Sequence, residues 1–496
     1  MLFNSIEYVF FFLPLTLLVY FALTRLPEPV YARAWLVAAS LFFYSWWKPE
    51  YLALIMVSII VNYAISGRIL QTWGSAAAKG WLITGIVFNV ALLGVFKYML
   101  FVVNNVQMLL GGDLWSFKLV LPLAISFFTF QQIAYLSDCY REQFRSCSFL
   151  DYVLFVSFFP QLIAGPIVHH KDMMPQYLDP GRRRFVAENF ACGMFVFGIG
   201  LFKKLVIADT FAIWANAGFD STGMPGFFDA WSASLSYTFQ LYYDFSGYAD
   251  MAIGAALMFN FRLPLNFNSP YRALDIQDFW RRWHITLSRW LRNYVYIPLG
   301  GSRRRAPRVY ANLLLTFAIG GLWHGAGWTF VLWGALHGIA MVVHRAWKRA
   351  GMTMHAAPAW LLTFLFVHCA WVVFRSESLD GALRIFRGMA GLNGVAFPPA
   401  FVDHFRALWS YPADLVSITR DGVMTGSQFL QFLVLFAAVA FFAPNTQTLA
   451  RYGEGLSGYW SAPLGWKRLA AHASLFGFAL VFLFTNERIE FLYFNF

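Results

Sequence analysis

Charge is scarce in this chain. Only 12% of its 496 residues are Asp, Glu, Lys or Arg, whereas soluble domains carry roughly 25%. With 59% hydrophobic residues, a mean hydropathy of +0.55 and no polar linker, the composition excludes a string of ordinary soluble domains. Cysteine is scarce too. Cys139, Cys147, Cys192 and Cys369 form no CxxC pair, which excludes a disulfide framework and a cysteine zinc site. The adjacent pair His169 and His170 is isolated and no HExxH occurs, so no metal is expected. A GxSxG elbow and a Walker loop are also missing. The alternating pattern of an outer-membrane barrel is absent. Runs such as "YLALIMVSIIVNYAI" are continuous, as helical spans require. The first apolar segment, Ile6 to Leu23, has no basic leader and no obvious small-residue cleavage site, so it reads as a retained span.

What the chain has in excess is aromatic. Phe (55) and Trp (20) suit spans flanked by interfacial rings. The expected class is an all-α, polytopic membrane protein. Candidate spans lie near 6–24, 31–47, 50–71, 81–103, 119–137, 149–168, 186–208, 229–260, 309–346, 358–374, 428–443 and 470–486. Residues 309–346 are too long for one crossing of about 20 residues. Glycines at 320, 321, 325 and 327 predict a break there. No internal repeat is visible, so residues 1–496 read as one membrane domain, with a catalytic core over about 119–346. Residues 391–427 are the best candidate for an extramembrane insertion.

The net charge of +12 is unevenly placed. Ten arginines fall from Arg262 to Arg308, against only Asp275 and Asp278. Basic loops favour the cytoplasmic side. They also attract anionic lipid heads or phosphate-bearing substrates. Both readings stand at this point, and nucleic acid is not an expected partner. Within the basic region, "DIQDFWRRWHITLSRWLRNYVYIPLGGSRRR" predicts an amphipathic interfacial helix, with Asp275 as N-cap and Pro298, Gly300 and Gly301 as its end. At 100° per residue, Trp280, Trp283, Leu287, Trp290, Leu291 and Tyr294 share an arc of about 100°. Arg281, Arg282, Arg289 and Arg292 share another. His284 falls at the edge of the aromatic arc. It is either a polar edge residue with a hydrogen-bond partner or a second polar group lining a site.

One stretch concentrates the question of chemistry. "GGLWHGAGWTFVLWGALHG" spans Gly320 to Gly338, and no Asp, Glu, Lys or Arg occurs between Arg308 and Arg345. His324 is either a satisfied core residue or a functional group, since ionisable residues inside membranes are functional by default. A neutral imidazole can accept a proton, which is what a general base needs. His337 reads more readily as an interhelical hydrogen-bonding residue. In "QLYYDFSGYADMAIG", Asp244 either orients an imidazole or holds an arginine, or serves as a structural ion-pair partner or a helix cap. Ser246, Gly247 and Gly254 predict close helix contact there.

At these residues the chain resembles the membrane-bound O-acyltransferase (MBOAT) family. Within it, the likeness is to the bacterial polysaccharide branch, that of the alginate O-acetyltransferase membrane subunit. The matching stretches run in family order over nearly the whole chain. They are "SFFTFQQIAYLSDCYR", "FFPQLIAGPI", "QLYYDFSGYADMAIG", "FNSPYRALDIQDFWRRWHITLSRWLRNYVYIPLGGSR", "GGLWHGAGWTFVLWGALHG", "WVVFRSESLDGALRIF" and the terminal "EFLYFNF". The block "DFWRRWHITLSRWLRNYVYIPLGG" followed by "GLWHG" is the most specific. The branch often ends in "YFQF" where this chain has "YFNF", which leaves the reaction class intact and loosens the polymer assignment.

The resemblance implies a helical bundle with a central tunnel. It implies transfer of an acyl group from a cytoplasmic thioester to a hydroxyl. His324, in the WHG motif, is then the catalytic histidine and His284 the second key position, where many animal members carry Asn. Expected substrate contacts are Arg281, Arg282, Trp323 and Asp244. Acetyl-CoA is the expected donor, as a substrate and not a resident cofactor. Periplasmic acetyltransferase or polysaccharide-modification proteins, and membrane lipids, are the expected partners. The expected location is the bacterial inner membrane. Rival readings are a transporter using His324 and Asp244, D-alanyl transfer toward teichoic acid, and a recruiting scaffold.

Overall fold

The computed structural model describes residues 1–111, 121–142, 147–163, 165–395, 426–450, 466–485 and 491–492. Among these residues every regular element is a helix. The order is α1 (Leu13–Leu23), α2 (Val30–Ser45), α3 (Glu50–Gln71), α4 (Ala76–Leu93), α5 (Met99–Leu110), α6 (Ile125–Arg141), α7 (Phe149–Ser157), α8 (Phe159–Leu162), α9 (His170–Leu178), α10 (Ala187–Phe202) and α11 (Asp209–Phe219). Then follow α12 (Phe227–Met258), α13 (Ile276–Arg282), α14 (Ile285–Leu291), α15 (Ala306–His324), α16 (Trp328–Arg349), α17 (Ala356–Arg375), α18 (Leu379–Met389), α19 (Gly426–Phe442), α20 (Thr446–Leu449) and α21 (Trp466–Thr485). Wide π-type turns at Gly94–Tyr98, Lys203–Ala208 and Arg292–Tyr296 follow α4, α10 and α14 directly.

Among the described residues, four helical stretches are long and apolar enough to cross a membrane: Glu50–Gln71, Ala76–Leu110, Ala187–Phe219 and Ala356–Arg375. Their outward faces carry residues such as Val57, Ile60, Val87 and Val90, more than half exposed in the isolated chain, as lipid contact requires. The 32-residue α12 is different. It runs through the middle, buried along almost its whole length from Ala230 to Met258.

Small residues set the packing. A Cβ at Gly193 would stand 2.7 Å from the Gly254 carbonyl oxygen, and one at Gly200 would stand 2.6 Å from that of Gly247. These two pairs let the backbones of α10 and α12 touch, as the sequence predicts for Gly247 and Gly254. The same device joins α15 to α16, where a Cβ at Gly334 would lie 2.5 Å from the Phe317 carbonyl oxygen. The expected break in 309–346 is present: α15 ends at His324 and α16 starts at Trp328, leaving a three-residue turn, Gly325 to Gly327. Of the expected insertion at 391–427, residues 396–425 lie outside the described residues, as do residues 490 and 493–496 of the terminal motif.

Candidate active site

The basic segment departs from the single amphipathic helix expected of it. Asp275 does cap α13, accepting from Asp278 N at 2.8 Å. The helix then breaks at Trp283 and His284, and His284 takes a left-handed backbone, φ 43° and ψ 52°. The break is held by residues 266–268, which run alongside it. Asn268 N donates to Arg282 O (2.9 Å) and Ile285 N to Asn266 O (3.0 Å), so the backbone groups released by the break are paired. As a result His284 is not at a polar edge. It is fully buried, 0% exposed.

Its tautomer follows from its neighbours. Asn266 Oδ1 accepts from the backbone N–H of Thr286 (3.3 Å) and from Thr286 Oγ1 (2.9 Å), which fixes that atom as the amide oxygen. His284 Nδ1 lies 3.1 Å from the same oxygen. Nδ1 therefore carries the proton, and Nε2 is the accepting nitrogen of the neutral ring.

His324 is the last residue of α15 and is 3% exposed. Its ring packs edge-on to Trp323 (4.9 Å between centroids), Trp333 (5.0 Å) and Phe374 (5.3 Å). The His284 ring lies 6.3 Å away. Trp323 contacts both imidazoles, the second at 5.8 Å, and its Nε1 donates to Ser126 O at 3.3 Å. The aromatic arc read from the sequence is thus turned inward: Trp280, Trp283, Leu287, Trp290 and Leu291 are all buried. Trp290 stacks on Phe130 at 3.6 Å.

Two cavities reach α15, one at each end. A small one of about 50 Å³ has His324, Trp323, Lys97, Ser126 and Ile163 among its lining residues. A larger one of about 750 Å³ is lined by the first half of α15 and the last half of α16, with Arg281, Arg292, Arg304, Arg345, Lys348 and Arg349 around it. Its inner end meets Trp280, Leu291 and Phe317. Trp333 touches Trp280 (5.8 Å) and His324 (5.0 Å), and so stands between the basic cavity and the imidazoles. His337 accepts from Trp280 Nε1 at 3.2 Å, the interhelical role the sequence favoured for it.

The expected substrate contacts therefore separate. Trp323 is at the imidazoles and Arg281 is at the basic cavity. Arg282 turns to Asp278, with Nε 2.9 Å from the carboxylate, and is not among the residues lining that cavity. Asp244 is drawn away: its carboxylate pairs with Lys204 (2.8 Å) and accepts from Leu492 N (3.0 Å). Lys204 also binds Asp209 at 2.8 Å. Asp244 belongs to this buried ion network.

Sequence reasoning passes over Lys97. It is a buried lysine in the wide turn Gly94–Tyr98, and its Nζ donates to Trp323 O (2.5 Å), His324 O (3.1 Å) and Ser126 Oγ (3.2 Å). The only available signal was a cation near the middle of an apolar stretch, Ala76–Leu110. Among the described residues no group of three or more His, Cys, Asp or Glu is placed to hold a metal.

A buried imidazole pair beside a helix break, in a bundle whose described elements are all helices and include apolar spans, marks a membrane-embedded class of protein. The family is settled by comparison: the model of the membrane-bound O-acyltransferase family matches residues 81–379, and the chain belongs to that family. It is similar to the peptidoglycan O-acetyltransferase of Helicobacter pylori, 46% identical over all of this chain and 98% of the relative. It is also similar to the probable alginate O-acetylase AlgI of Pseudomonas aeruginosa, 39% identical over 91% of this chain and 84% of the relative. A more distant relative is the teichoic acid D-alanyltransferase of Streptococcus thermophilus, 25% identical over 47% of this chain and 59% of the relative. The chain is a membrane-bound O-acyltransferase, as the resemblance implied.

Proposed function

We propose that this enzyme moves an acetyl group from a cytoplasmic thioester, acetyl-CoA, to a hydroxyl of an exported glycan, in the bacterial inner membrane. The observation that carries the reading is the close pair of buried imidazoles, His284 and His324, 6.3 Å apart, with His324 bordering the small cavity and Trp333 standing between it and the basic one. The basic cavity suits the phosphates of the donor. The acceptor approaches through the small cavity beside His324. As its hydroxyl oxygen attacks the thioester carbonyl carbon, the imidazole of His324 takes the hydroxyl proton. The C–S bond then breaks, and the leaving thiolate takes that proton as the free thiol. His284, with Nδ1–H held by Asn266, positions the donor carbonyl or the acceptor. Burial of both rings limits hydrolysis of the thioester by water.

Among glycans, peptidoglycan is the first polymer to test, because a relative that acts on it aligns over the full chain. Alginate is the second. The first acceptor is a periplasmic modification protein that passes the acetyl group on. The test uses His324→Ala with membrane abundance matched to wild type. A positioned base contributes about 10²–10⁴-fold, and acetyl transfer to glycan or partner is expected to fall by that factor. Near wild-type transfer by His324→Ala would sink the assignment. Turnover of a D-alanyl carrier thioester but not acetyl-CoA by the purified enzyme would replace the donor.

A further inference from the structure

Helix α15 ends where an ordinary helix would be costly to end. Its final carbonyls have no partner within the helix, and in a low-dielectric setting each bare carbonyl costs several kcal/mol. The usual closure, a glycine in the left-handed region, is not used here. Gly325 is extended, φ −161° and ψ 155°. The closure comes from another helix. Tyr98 Oη donates to Leu322 O (2.6 Å), and Lys97 Nζ donates to Trp323 O (2.5 Å) and His324 O (3.1 Å). Three successive carbonyls, ending at His324, are therefore held by two successive side chains from the wide turn Gly94–Tyr98. The third proton of Lys97 goes to Ser126 Oγ (3.2 Å). Ser126 lies near the start of α6, and its own carbonyl accepts from Trp323 Nε1.

We infer that Lys97 is a positioning residue for the transfer reaction: by fixing the last turn of α15 it sets the angle at which His324 meets the acceptor. This rests on the reading of His324 as the base. A cation suits this place because the C-terminal end of a helix carries partial negative charge. A hydroxyl cap would satisfy one carbonyl and an amide two, whereas the ammonium holds two and with its third proton ties them to α6. Lys97 also borders the small cavity that His324 borders, so a shift of this cap is felt where the acceptor arrives.

The experiment compares Lys97→Met, Lys97→Arg and Lys97→Met/His324→Ala, reconstituted at equal enzyme content, with acetyl-CoA and a soluble glycan fragment or hydroxyl acceptor. Misplacement of a reacting group by about 1 Å costs about 10²-fold. Lys97→Met is expected to lose about 10²-fold in kcat with the donor KM within about threefold. Lys97→Arg keeps the cation and is expected to recover about tenfold of that loss. In the His324→Ala background, Lys97→Met is expected to add less than about twofold, because residues that act as a unit are not additive. Wild-type kcat in Lys97→Met, a pure rise in KM, or a full multiplicative loss on top of His324→Ala would each overturn the proposal. If Lys97→Met does not reach the membrane, Lys97→Gln takes its place, judged on the same split and the same double variant. Wild-type activity of His324→Ala would instead overturn the base assignment, so the two failures are distinct.

Discussion

His284 occupies a backbone conformation that most side chains resist. At φ 43° only Gly is comfortable, with Asn, Asp and His next. This gives a physical reason why family members with Asn at this position keep the fold: an amide tolerates the left-handed region and its NH₂ can replace Nδ1–H as donor to Asn266 Oδ1. We expect His284→Asn to assemble at wild-type level and to keep more transfer activity than His284→Val. The valine variant, β-branched at positive φ and with no donor for Asn266, is expected to lose about 2–4 kcal/mol of stability. Thermal unfolding in detergent, run beside the transfer assay, checks both. Equal stability of the two variants would show that the backbone at this position is not constrained. At this scale His324 stood out because it lies in a long stretch without Asp, Glu, Lys or Arg, whereas His284 sits among arginines and was singled out by the family resemblance. Lys97 was not, because it acts on the carbonyls of Trp323 and His324, far along the chain, and no local pattern encodes that pairing.

The helix break between α13 and α14 shows what periodicity can and cannot read. Counting at 100° per residue identified the buried ring set, since each short helix keeps its apolar side inward. The break itself depends on backbone pairing with residues 266–268, and a one-dimensional pattern carries no sign of that. Its consequence is that Trp280, at the end of the basic cavity, and His284, at the imidazole pair, sit on different elements. Trp280 with Trp333 forms the partition between them. Truncating Trp280 to Ala removes a large ring from that partition and frees His337 Nδ1 of its donor. We expect Trp280→Ala to raise thioester hydrolysis in the absence of acceptor by about tenfold, while the transfer-to-hydrolysis ratio falls, because water exclusion is what protects the donor. Release of free thiol, followed with and without acceptor, measures both. Unchanged hydrolysis would mean that the partition lies elsewhere.

At the scale of the whole molecule, α15 acts as a vane between two environments. Its start and the end of α16 border a cavity ringed by Arg281, Arg304, Arg345 and Lys348, and its end borders a small cavity with a single cation, Lys97, already committed to backbone carbonyls. Arg281, Arg292 and Arg304 of the basic stretch Arg262 to Arg308 line the larger cavity, so the charge that positive-inside topology calls for and the charge that donor binding would call for coincide there. Topology alone would require only that the charges be there. Donor recognition requires that they affect binding of the thioester. Reversing Arg345 to Glu tests this, because Arg345 lies on α16, apart from the basic stretch Arg262 to Arg308, and lines the cavity. If phosphates of the donor sit in this cavity, Arg345→Glu should raise the donor KM about tenfold, equivalent to ~1.4 kcal/mol, with a much smaller change in kcat. The wild-type KM should also climb with ionic strength, since exposed charges are screened within a Debye length of about 10 Å at 0.1 M. A donor KM indifferent to both Arg345→Glu and salt would assign the arginines to lipid headgroups and leave the thioester to enter by another route.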